Sequence, residues 1–128
     1  TIVVDFAGKG KITYPDGVIV NDETTSNLTK NENFVVLECV YRLLKLGYKP
    51  ECIELEPKWE APHDIGGGGK ADVLVKDNAG ESFLLIECKT WGKEFDNYWK
   101  KTEQDGDQLF FYAVQKRSTK YLCMYGAQ

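Results

Sequence analysis

The chain has 128 residues, with sixteen Lys and Arg against twenty Asp and Glu, one His, and a formal net charge of −4. With 42% hydrophobic and 28% charged residues it has the balance of one globular domain. That excludes a disordered tail, a collagen-like rod and a small disulfide-stapled scaffold.

Val3 to Phe6, Lys11 to Tyr14 and Val18 to Val20 are rich in β-formers and are punctuated by Gly8, Gly10 and the Pro15-Asp16-Gly17 turn. They predict two or three short strands. A polar, turn-forming stretch from Asp22 to Asn27 follows, with Thr29 or Asn31 as the expected helix cap. From Asn31 to Leu46 the pattern is helical. Phe34, Leu37, Tyr41 and Leu44 recur at three- and four-residue steps, Val36, Val40 and Leu43 widen the stripe, and Gly47 supplies the stop.

Cys52 to Glu56 predicts a short strand ending at Pro57, and Lys58 to Lys70, with Pro62 and four consecutive glycines, predicts a loop. Ala71 to Val75 and Ser82 to Thr90 flank the Asp77-Asn78-Ala79-Gly80 turn and form the clearest hairpin. Trp91 to Asn97 is ambiguous by pattern. A helix is expected from about Tyr98 or Glu103 to Gln115, and a last strand from Tyr121 to Tyr125. This order suggests an α/β or α+β sheet flanked by helices, with at least one crossover.

The longest apolar run, Leu109 to Val114, is too short for a membrane-spanning helix. Cys39, Cys52, Cys88 and Cys123 lack the close spacing of a zinc knuckle or redox dithiol, so a reduced, cytoplasmic protein is expected. Thr1 opens the chain without a charged-then-apolar leader, and the chain stops three residues after its last predicted strand. A processed protein or a domain of a longer polypeptide is the expectation.

The chemistry concentrates in the hairpin. Alternate strand residues share a face, so Glu87 and Lys89 project together while Ile86 and Cys88 face the other way. Phe83 to Ile86 is apolar on both faces, as in a central strand. A Glu and a Lys at the end of such a strand are costly to bury unless they pair with or bind something. The partner strand brings Asp72 alongside Glu87, and two close carboxylates are relieved by a divalent cation.

Gly68-Gly69-Lys70-Ala71-Asp72 followed by Glu87-Cys88-Lys89 resembles the PD-(D/E)-x-K nuclease signature. The likeness is to the N-terminal nuclease domain of type I restriction enzyme R subunits and related restriction-methylase fusions. It spans about residues 30 to 126, with Ala71 where the signature has its proline, so the "P" is absent, as it often is in this family. Gln108 and Tyr112 match a downstream Gln-x-x-x-Tyr element, and the helix from Asn31 offers Glu32 or Glu38 as a further acidic residue, Glu32 being preferred.

The resemblance implies an α/β fold with a central mixed sheet flanked by helices, residues 1–28 being a β extension and 29–128 a restriction-endonuclease-like core. It implies a Mg²⁺-dependent DNA endonuclease, with Mn²⁺ as a substitute. Catalytic roles fall to Asp72, Glu87, Lys89, Gln108 and Tyr112, and metal ligation to Asp72, Glu87, the Cys88 carbonyl and Glu32. The implied partners are double-stranded DNA and the helicase or translocase, methyltransferase and specificity modules of a restriction system. ATP or S-adenosylmethionine would enter only through those other domains.

Two rivals stand beside this reading: a catalytically inactive nuclease-like module that binds DNA or docks other domains, and a DNA-repair or junction-resolving nuclease. His63, the single histidine, has no nucleophile motif to serve. The glycine run precedes a strand instead of opening a helix, which excludes a phosphate-binding P-loop. Residues 1–88 carry nine basic and fifteen acidic side chains, and residues 89–128 seven and five. The basic part interleaves Lys93, Lys100, Lys101, Lys116, Arg117 and Lys120 with Trp91, Phe95, Tyr98 and Trp99, a mixture suited to phosphate contact and base stacking. Lys93, Lys100 and Lys101 are the candidate DNA contacts.

Overall fold

A computed structural model describes residues 1–59, 69–105 and 119–127. It is an α/β structure built on a mixed five-stranded sheet with two helices. The strands are β1 (Val3–Asp5), β2 (Lys11–Thr13), β3 (Ile19–Val20), β4 (Ile53–Leu55), β5 (Lys58–Trp59), β6 (Gly69–Lys70), β7 (Val73–Lys76), β8 (Ser82–Thr90) and β9 (Tyr121–Ala127). The helices are α1 (Asn31–Lys45) and α2 (Lys93–Asp105). The main sheet runs β3-β4-β7-β8-β9, parallel at its two outer pairs and antiparallel between β4, β7 and β8. Parallel neighbours need a crossover, and α1 supplies the one between β3 and β4.

The β7–β8 hairpin forms where the apolar runs and turn residues place it. Asp77 Oδ1 accepts from the N–H groups of Ala79 and Glu81, and Gly80 takes a φ of 82° that a side chain would resist. Strand β8 is central, hydrogen-bonded on both edges, which is why its apolar residues read continuously. One face of the sheet, carrying Ile53, Leu55, Val73, Val75, Ile86 and Cys88, packs against Val36, Cys39, Val40 and Leu43 of α1 as the main core. Ala71, Leu74 and Leu85 form a smaller cluster. Helix α2 lies against the strand face that carries Lys89. Gly126 pairs with Lys89, and a Cβ there would stand 2.8 Å from Phe95 and 3.0 Å from Trp91.

Four expectations are corrected. The buried arc of α1 is the Val36, Cys39, Val40 and Leu43 side, while Phe34 and Tyr41 are exposed. Neither Thr29 nor Asn31 caps α1: Lys30 occupies that position without a side-chain bond. The Asn33 amide anchors the helix start instead, donating to the carbonyls of Thr24 and Asn27 and to Asn27 Oδ1. The segment read as loop from Lys58 to Lys70 pairs at its ends, β5 with β6. Helix α2 starts at Lys93, within the ambiguous stretch, ahead of Tyr98. Its Phe95, with Trp91 just ahead of it, meets the Gly126 surface, a contact no local pattern encodes. The expected continuation to Gln115 lies outside the described residues.

Candidate active site

Strands β7 and β8 set the site. Val73 pairs with Ile86, so continuing the register by one residue places Asp72 opposite Glu87. The Cys88 N–H donates to Asp72 Oδ2 at 2.7 Å, which fixes that carboxylate at the end of the hairpin. In an extended strand the N–H and C=O of one residue point to the same edge, so the Cys88 carbonyl also faces the Asp72 side. Glu87 is 5% exposed, and its Oε2 is buried without a hydrogen-bond partner. An unsatisfied buried carboxylate oxygen is costly unless the group is protonated or bound.

Burial, and then the neighbouring Asp72, push the Glu87 carboxyl well above the usual carboxylate range. Burial also raises Asp72, with Glu32 and Glu56 adding to the rise while the Cys88 N–H and Lys89 oppose it. At Lys89 burial alone would lower the pKa, but Glu87, Glu32 and Asp72 outweigh it and the net shift is upward. Its ammonium lies 3.5 Å from Glu87 Oε1, 4.0 Å from Glu32 Oε2 and 4.9 Å from the centre of the Tyr98 ring. One lysine therefore connects β8, the first turn of α1 and the second turn of α2. It lines a cleft of about 350 Å³ together with Glu32, Glu94, Asn97 and Tyr98.

The helix geometry separates the two acidic candidates. At 100° per residue Glu32 and Glu38 stand about 120° apart. With Val36, Val40 and Leu43 facing the sheet, Glu32 reaches Lys89, whereas Glu38 binds Arg42 at 3.0 Å and accepts from the Tyr125 hydroxyl at 3.0 Å. Lys93 and Lys100 are exposed on α2; Lys101 belongs to the same helix. Gln108, Tyr112 and His63 lie outside the described residues, as do Lys116 and Arg117.

The donor set suits a hard divalent cation: two adjoining carboxylates, one with a free buried oxygen, beside a main-chain carbonyl. Among the described residues no group of three or more His, Cys, Asp or Glu side chains is gathered tightly enough to hold a metal. Glu32 joins the site through Lys89. The cysteine thiols do not contribute. Cys88 points into the main core, where the Cys39 thiol and burial hold its pKa well above normal.

Glu56 escapes sequence reasoning. It is buried, its N–H donates to the Asp72 carbonyl at 2.9 Å, and its carboxylate accepts the Thr24 hydroxyl at 2.8 Å. Its φ of 50° is the one positive value at a non-glycine among the described residues, a conformation that requires tertiary support. Glu-Pro at the end of a strand reads simply as a terminator. No family model matches the chain, and no curated protein matches it.

Proposed function

We propose that this chain is a Mg²⁺-dependent endodeoxyribonuclease domain of the PD-(D/E)-x-K type, with a restriction-endonuclease-like core, acting within a restriction-modification enzyme. The observation that carries the reading is Glu87: a buried carboxylate with a free oxygen, set opposite Asp72 and in contact with Lys89. Lys89 contacts only Oε1, which leaves Oε2 without a hydrogen-bond partner beside a second carboxylate.

Asp72, Glu87 and the Cys88 carbonyl would hold the cation, which when bound supplies a more acidic water and polarises a phosphoryl oxygen. Asp72 is held for this by the Cys88 N–H. Lys89 places its ammonium beside the attacked phosphate, where it stabilises the charge developing in the transition state. Glu32 and the Tyr98 ring hold that ammonium in the cleft from two other elements. Lys93, Lys100 and Lys101 would contact the phosphates of double-stranded DNA, with Gln108 and Tyr112 orienting the strand. The translocating or methylating modules of the parent system would supply most of the affinity, since net −4 gives this domain little attraction for DNA.

The test is nicking of supercoiled plasmid with Mg²⁺ by the wild type, Glu87→Gln and Lys89→Ala, run beside EDTA. Cleavage that persists unchanged in both variants defeats this assignment. The absence of a preassembled three-ligand group among the described residues favours a second reading, a nuclease-like module that binds DNA without cutting it. Titration calorimetry with Mg²⁺ and Mn²⁺ separates the two, because the module would show no heat that Glu87→Gln removes.

A further inference from the structure

We propose that Glu56, held by Thr24, is a positioning residue for Asp72, so that the turn ahead of α1 is part of the candidate site. Two hydrogen bonds lead from Glu56. Its N–H donates to the Asp72 carbonyl at 2.9 Å, and its carboxylate accepts the Thr24 hydroxyl at 2.8 Å. Asp72 is thereby fixed in main chain and side chain alike, its carbonyl by Glu56 and its Oδ2 by the Cys88 N–H at 2.7 Å. The backbone that makes this possible is unfavourable on two counts. The Glu56 φ of 50° lies in the left-handed region, and Pro57 follows it, which favours extended backbone at the residue before. Glycine would take that φ freely. A glutamate supplies what glycine lacks, a buried carboxylate bound to Thr24.

Thr24 joins the two halves of the site. Besides its hydroxyl bond to Glu56, its carbonyl accepts from the Asn33 amide at 3.1 Å. Asn33 follows Glu32, whose carboxylate lies 4.0 Å from the Lys89 ammonium. The short turn Glu23–Thr25 that carries Thr24 is itself fixed, because Asp22 Oδ1 accepts the Thr24 N–H at 3.0 Å. One residue is therefore bonded both to the strand end that holds Asp72 and to the helix start that holds Glu32. Neither Thr24 nor Glu56 belongs to the nuclease signature, and Thr24 lies ahead of its span. Residues 1–28 are thus more than an added β extension. With the Thr24 hydroxyl removed, Glu56 is free to relax toward extended backbone and to release the Asp72 carbonyl.

This inference rests on the nuclease reading only for what Asp72 binds, and its first measurement needs neither metal nor DNA. It is amide hydrogen exchange by NMR on the 128-residue chain in EDTA. The Cys88 N–H is the probe of Asp72, and the N–H of Val40, buried on α1, is the measure of global opening. Thr24 is exposed and valine has its shape, so Thr24→Val removes the hydroxyl alone. It should speed exchange at Cys88 by about 10-fold relative to Val40, the factor for one net hydrogen bond, while Thr24→Ser keeps the wild-type ratio. On a Glu56→Gly background, where the left-handed turn needs no support, Thr24→Val should change nothing further. A rise at Cys88 no larger than at Val40 reduces Thr24 to a structural contact and overturns the proposal. So does an equal Thr24→Val effect with and without Glu56→Gly. Plasmid nicking with Mg²⁺ then tells the two readings apart. A selective rise at Cys88 in a protein that does not cut upholds the positioning and rejects the nuclease. Mg²⁺-dependent cutting that Thr24→Val leaves at the wild-type rate does the reverse.

Discussion

The two faces of the central sheet are put to different uses. On the α1 face, Ile53, Leu55, Val73, Val75, Ile86 and Cys88 meet the helix in a core with almost no exposed area. On the α2 face, Lys89 opens into a cleft, while Glu87 lies buried with one oxygen unsatisfied. Alternation along β8 makes this possible, because neighbours such as Glu87 and Cys88 belong to opposite faces. The sealed face stabilises a fold that can tolerate an uncompensated carboxylate on the other. A carboxylate so placed destabilises the protein by itself, which is reasonable where the position serves a ligand.

Substitutions on the two faces should therefore separate activity from stability. The largest effect is expected at Lys89. Lys89→Ala should lower the cleavage rate by about 100-fold or more while DNA affinity, spread over many phosphate contacts, stays nearly constant. Rate and binding measured on one preparation check this, and a parallel fall in both would merge the two faces into one role. On the sealed face the reverse is expected. Leu55→Ala should cost about 3 kcal/mol in urea unfolding, through lost burial and the cavity left behind.

The carboxylates give a pH test. Burial raises Glu87 to about 8 and Asp72 to about 6, against about 4 in the unfolded chain. The folded state therefore binds more protons. This contribution to stability is fully present below about pH 4 and is lost as pH rises through 6 and 8. In EDTA, Glu87→Gln should be the more stable protein at pH 9, with the gap closing toward pH 5. Adding Mg²⁺ should raise the Tm of the wild type and not of Glu87→Gln. Thermal melts of both proteins across that range settle the matter, and a gap that widens toward acid would reverse the assignment.

A smaller loss, about 1 to 2 kcal/mol, is expected for Asn33→Ala, which removes a buried amide that donates to the carbonyls of Thr24 and Asn27. Because Asn33 anchors the turn that carries Glu32, its activity should fall as well. Smallest is Arg42→Ala. The Glu38–Arg42 pair is largely exposed, so chemical denaturation should register no more than about 0.5 kcal/mol.

Much of this architecture is legible in the residues themselves. The β7–β8 hairpin follows from two apolar runs around a turn whose Asp77 and Gly80 are each suited to their conformation. Two-residue periodicity alone puts Glu87 and Lys89 on one face. The extent of α1 follows from its periodicity and from Gly47. Which arc of α1 is buried does not, because apolar residues occupy more than half of its circumference. The sheet chose Val36, Val40 and Leu43, whose smaller and branched side chains fit against β4, β7 and β8, and left Phe34 and Tyr41 outside. That rotation turned Glu32 toward Lys89 and Glu38 toward Arg42. Glu56 and the β5–β6 pairing were likewise decided by tertiary contacts. Strand alternation and turn chemistry act over a few residues, so they are written locally. The phase of a helix and the partner of a buried carboxylate depend on surfaces that meet only after the chain has folded.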